Sequence, residues 1–112
     1  MDDSVANVEL VELTAEGVRL PVRIEIGQPR PDGRGAWDCP VLVDGIDGKL
    51  RHAYGEYSLQ ALRLGLRLVH TLLECGLKQG SRLIDPVEGT DFPLDAYFGV
   101  SSVEITRPSL QS

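Results

Sequence analysis

Between Val18 and Ile26, apolar and polar residues alternate: Val18, Leu20, Val22, Ile24 and Ile26 fall on one parity and Arg19, Pro21, Arg23 and Glu25 on the other. A period of two is that of a strand with one buried face. Pro21 has no amide donor, which places this strand at a sheet edge or turns that residue away from its neighbour. Upstream, Val8-Glu9-Leu10-Val11-Glu12-Leu13 is also extended, but its parity slips between Leu10 and Val11, which calls for a bulge or for two partly covered faces. Ala15-Glu16-Gly17 is a connection of hairpin length, so residues 6–26 are expected to form an antiparallel hairpin.

Residues 27–35 hold three glycines and two prolines, and are expected to form a mobile loop that continues no ladder. Alternation returns at Trp37, Cys39, Val41 and Val43, giving a third strand. Asp44-Gly45-Ile46-Asp47-Gly48 reads as a tight turn, and Lys49 to Tyr54 as a short fourth strand with Leu50, His52 and Tyr54 on one parity. The period then changes. From Ser58, read as the N-cap, to a stop near Gln79-Gly80, Leu62, Leu66, Val69 and Leu73 follow the i, i+4, i+7, i+11 course of one helix face, widened by Leu59, Ala61, Leu68 and Leu72. Gly65 costs about 1 kcal/mol inside a helix and permits close approach to a strand. Beyond the helix, Ser81 to Asp85 is a short strand closed by Asp85-Pro86, Asp91 to Phe98 a tucked segment or single helical turn, and Val100 to Thr106 a last strand. The fold expected is α+β: a mostly antiparallel meander of four to six strands with one long amphipathic helix across a face.

Trp37-Asp38-Cys39-Pro40, the Gly-Ile-Asp-Gly turn, Tyr54-Gly55 and Ser58-Leu59-Gln60-Ala61-Leu62 at the helix start together resemble an uncharacterised family of small bacterial proteins classed as a domain of unknown function. The resemblance spans residues 36–78. It implies a bacterial, cytoplasmic α+β protein, and it carries over no active-site residue.

At 112 residues the chain has the length of one domain, with an ordered core expected over about 6–106 and frayed termini. No run reaches the ~18 apolar residues of a membrane span, and Met1-Asp2-Asp3-Ser4 lacks the basic and apolar regions of a signal peptide, so a cytoplasmic location is expected. Cys39 and Cys75 are then reduced, and both are read as small buried hydrophobes. The net charge of −6 disfavours nucleic acid as a partner. That charge is uneven: residues 1–48 carry ten acids against four bases, residues 49–82 six bases against two acids, and residues 83–112 five acids against one base.

No catalytic or metal motif emerges. Cys39, His52, His70 and Cys75 lack zinc-ligand spacing, and a cysteine nucleophile or an acid/base pair from Asp85, Glu88, Asp91 and Asp95 has no supporting pattern; these acids read as turn formers, caps and solvated charge. Asp44 to Gly48 lacks the alternating acids of a calcium loop, no nucleotide fingerprint is present, and no cofactor is implied. Two readings remain. The first is a non-catalytic interaction module, an accessory or immunity-type protein, binding a partner protein or a second copy. Its surface is a ridge of Arg63, Arg67, His70 and Lys78 on the outer face of the helix, with Glu74 pairing to His70 or Lys78, or else the exposed edge of the first hairpin. The second is a small-ligand-binding or minor enzymatic domain with a pocket between the sheet and the C-terminal segment, around Trp37, Tyr54, Tyr97 and Phe98.

Overall fold

Val22, Ile24 and Ile26 are buried, and the strand that carries them lies in the middle of the sheet. In the computed structural model, which describes residues 3–98, the elements are β1 (Ser4–Leu13), β2 (Arg19–Gly27), β3 (Arg30–Pro31), β4 (Trp37–Asp44), β5 (Arg51–Gly55), α1 (Ser58–Gly76), β6 (Arg82–Ile84) and α2 (Leu94–Phe98). All pairings are antiparallel: β1 with β2, β2 and β3 with β4, β4 with β5, and β6 with β1 on its other side. The meander is therefore as expected, with the chain passing through α1 from β5 at one edge to β6 at the other.

One strand expectation is corrected, at residues 27–35, and two are decided in favour of their second alternative. β2 is not an edge strand; Pro21 sits beyond its ladder with β4, which runs only from Arg23 to Ile26, so no amide is missed there. Residues 27–35 do continue a ladder: Arg30 and Pro31 pair with Asp38 and Trp37. From Ile26 to Arg30 the chain advances four residues while its partner advances three, from Val41 to Asp38, so Gly27 to Pro29 take up one extra residue as a bulge. The hairpin tip is held by Asp32, whose Oδ1 accepts the amides of Arg34 (2.7 Å) and Ala36 (3.1 Å). In β1 the register is continuous from Ala6 to Leu13, so the Leu10–Val11 slip is no bulge. Leu10 and Glu12 both face α1, and Val11 and Leu13 are half-covered on the opposite face.

Glu12 is thus a carboxylate at a core position, 1% exposed. Its Oε2 accepts the backbone amide of Lys78 at 2.9 Å, just past the end of α1, tying the helix exit to the sheet. The N-cap of α1 is Tyr57, not Ser58, and the helix ends at Gly76, short of Gln79-Gly80. Its most deeply buried residues, Ala61, Gly65, Val69, His70 and Leu73, are also not centred on the leucines. Leu62, Leu66, Leu68 and Leu72 flank the contact, and Leu59 is exposed. The helix comes down on its smallest side chains: a Cβ at Gly65 would lie 2.8 Å from Cys39 Sγ and 3.3 Å from Val41 Cγ1. The strand expected at Val100–Thr106 and the tail after it lie outside the described residues.

Three aspartates hold turns and contribute to stability at acid pH. Backbone amides of Arg34 and Ala36 lower the pKa of Asp32, the Arg51 guanidinium that of Asp47 (2.7 and 2.9 Å), and the amides of Glu88 and Val87 that of Asp85. A depressed folded-state pKa contributes stability above the ordinary aspartate value of 3.8, and that stability is lost as pH falls through the folded value. Thermal midpoints are therefore expected to fall below about pH 4. Asparagine at 32, 47 and 85 together should lower the midpoint at neutral pH and flatten this acid limb; an unaltered profile would remove these turns as its origin.

Candidate functional site

β6 is short because the chain turns away after three paired residues. Ile84 stands opposite Val11, so Asp85 and Pro86 are next in register to face Leu10 and Glu9. Instead Asp85 Oδ1 accepts the amides of Val87 and Glu88 (both 2.8 Å), its carbonyl accepts Gly89 N (2.9 Å), and its own amide donates to Thr90 O (2.8 Å). Pro86, which cannot donate to a ladder, reinforces the departure. The chain returns along β6 with Phe92 N donating to Leu83 O (2.9 Å), and α2 then lies against α1. Among the described residues no strand lies beside Ala6 to Leu10 on the side away from β2.

A groove of about 580 Å³ runs along this open stretch. Its floor is Val8, Leu10, Ile24 and Ile26, its walls include Leu66, Phe92 and Phe98, and its rim carries Glu9, Asp85, Glu88 and Asp91. Asp91 is engaged by Arg82 at 2.8 Å. Neither Glu9 nor Glu88 has an ion-pair partner among the described residues. The rim is therefore anionic above an apolar floor.

The expected helix ridge is brought together only in part. Arg63 and Arg67 are exposed one turn apart. His70 is not on the outer face: it is 5% exposed, its Nε2 donates to Asp95 Oδ1 at 2.9 Å, its Nδ1 lies 3.4 Å from Glu74, and Phe98 meets it edge-on with ring centres 6.3 Å apart. The cause is the small-residue landing of α1, which rotates His70 beneath α2. Lys78 is exposed but lies past the helix end. The His70–Glu74 pair was visible as an i, i+4 spacing; nothing local announced Asp95.

Trp37, Tyr54 and Phe98 do not share a pocket, and the side chain of Tyr97 lies outside what the structure describes. Trp37 pairs with Gly55 and Tyr54 with Asp38, so Trp37 and Tyr54 alternate onto opposite sheet faces. Trp37 borders a depression with Pro29 and Leu59, Tyr54 one with Asp32 and Arg34, and Phe98 lines the groove; Tyr97 belongs to α2. His52 and Tyr54 are the exposed parity of β5, Leu50 is exposed just before it, and Ala53 faces inward.

The two thiols part company. Cys39 is fully buried, its Sγ donates to Gly27 O at 3.5 Å, and burial pushes its pKa up; Cys75 is exposed, contrary to the expectation of a buried thiol. His52 Nδ1 lies 2.8 Å from Asp38 and its ring stacks on Tyr54, on the sheet face away from Cys39. One ligand atom each from His70, Glu74 and Asp95 lie within 4.8 Å of one another, but both ring nitrogens already face a carboxylate.

A family model described as a domain of unknown function (DUF6968) matches residues 10–94. The chain belongs to this family. The DUF6968 match is broader than the resemblance over residues 36–78, taking in most of the sheet, α1 and the turn that ends β6. No curated protein and no solved structure matches the chain.

Proposed function

We propose that this DUF6968 protein is a non-catalytic interaction module that receives an extended segment of a partner protein along the open edge of β1. The observation that carries this reading is the register of β6. It covers Val11 to Leu13 and then departs, leaving Ala6 to Leu10 as a strand edge directly above an apolar groove. Strand addition at such an edge gains main-chain hydrogen bonds for affinity, and the groove supplies side-chain selection. Arg63 and Arg67 on α1 are a second surface, and neither lines this groove. Unpaired Cys39 and exposed Cys75 fit a reducing, cytoplasmic setting.

Ala6 is exposed and borders the groove, so Ala6→Trp fills it without replacing a core residue. Affinity capture with the wild type, Ala6→Trp and Arg63→Glu/Arg67→Glu tests the reading. The expected result is a partner retained by the arginine variant and lost by Ala6→Trp, with unfolding free energies unchanged within about 0.5 kcal/mol, as for exposed positions. Loss in the arginine variant alone would move the interface to the helix. A metabolite that raises the melting temperature of the wild type but not of Ala6→Trp would make the groove a small-ligand site instead.

A further inference from the structure

We infer that the segment received at the β1 edge is a cationic one, in which apolar residues alternate with lysine or arginine. The inference rests on the strand-addition reading and names the chemistry of the partner.

A strand laid beside Ala6 to Leu10 has a period of two, so its side chains divide between the two faces that β1 itself presents. On one face stand Val8 and Leu10, with Ile24 and Ile26 behind them and Leu66, Phe92 and Phe98 around them. Every second side chain of the guest enters this space and must be apolar, since a polar group placed there loses its water without gaining a partner. On the other face stands Glu9, and the loop that replaces a longer β6 contributes Glu88 and Asp85 to the same rim. Intervening guest side chains meet these carboxylates. Asp85 is held anionic by two backbone amides, Glu88 forms no ion pair among the described residues, and Glu9 stands across from Arg23, whose guanidinium is engaged by Glu25 at 3.1 Å, so the rim keeps a net negative charge that attracts cations over a Debye length of about 8 Å at physiological salt. A second copy of the chain is disfavoured at this edge, because two such rims would face each other.

The probes are two short peptides, one alternating valine with lysine and the other valine with glutamate, titrated against the full chain by fluorescence anisotropy and followed by amide hydrogen exchange. The lysine peptide is expected to bind at least tenfold more tightly than the glutamate peptide, to weaken as salt is raised, and to slow exchange at Ala6 to Leu10. Glu9→Gln/Glu88→Gln, at two exposed positions, should remove most of that preference, and Ala6→Trp should abolish binding. Equal binding of both peptides with slowed exchange at Ala6 to Leu10 would overturn the cationic partner and leave the edge reading standing. Binding that survives Ala6→Trp would overturn both. So would failure of both peptides to bind, and slow exchange at Ala6 to Leu10 in the free protein would then show that the chain itself fills the edge.

Discussion

A Gly65→Val chain is expected to lose about 3 kcal/mol of unfolding free energy, read from urea denaturation through the fluorescence of Trp37, the single tryptophan. The reason is a close approach between α1 and β4. A β-carbon at position 65 meets Cys39 Sγ at 2.8 Å, and the two γ-carbons of valine add a conflict with Val41. Both neighbours are fully buried and have nowhere to retreat. Gly65→Ala sets two effects against each other: alanine favours the helix by about 1 kcal/mol, and overpacking costs about 1–3 kcal/mol, so a net loss is expected. Cys39→Ala removes the atom in conflict, and in that background Gly65→Ala should become neutral or stabilising. Equal losses in both backgrounds would show that the contact with Cys39 is not the cause.

The second large effect is at Glu12. Glu12→Ala should cost about 2–4 kcal/mol, because it opens a void at a residue 1% exposed and strips the Lys78 amide of its acceptor. Glu12→Gln keeps the shape and an acceptor oxygen and should cost less than half as much. Comparable losses for the two variants would mean that charge, not the hydrogen bond to Lys78, holds the helix exit. Hydrogen exchange at Lys78 separates the cases, since only Glu12→Ala is expected to release that amide.

Local pattern carried much of the fold. Alternation from Val18 to Ile26 and from Trp37 to Val43 identified β2 and β4, because a half-buried strand repeats every two residues whatever it packs against. The helix, the turns at residues 15–17 and 44–48, and the short strand after Ser81 were legible for the same reason, as was Gly65 as a point of close approach. The candidate site was legible only in outline. An open edge on the first hairpin was expected, but its position on β1, Ala6 to Leu10, depends on where β6 stops. That stop lies more than 70 residues away in the chain.

The errors share one physical origin. Large apolar residues have most to gain from burial, which makes the leucine stripe of α1 its expected core face. Contact distance, however, is limited by the bulkiest side chain between two backbones, so the helix settled on Ala61 and Gly65 in line with Val69 and Leu73 and set Leu62, Leu66, Leu68 and Leu72 at its flanks. That rotation buried His70, dissolved the expected basic ridge and exposed Leu59. At Glu12 the local pattern is silent for another reason: a carboxylate on an inward parity breaks the alternation until its partner, Lys78 N, is brought beside it.

The sequence by itself determined the α+β class, the antiparallel meander and the amphipathic helix, since each follows from short-range periodicity and turn chemistry. Tertiary structure alone decided which helix face meets the sheet, which face of β5 is wet, and where β1 has no neighbour among the described residues. Those outcomes turn on steric fit and hydrogen-bond partners between segments far apart in the chain, which no local period encodes.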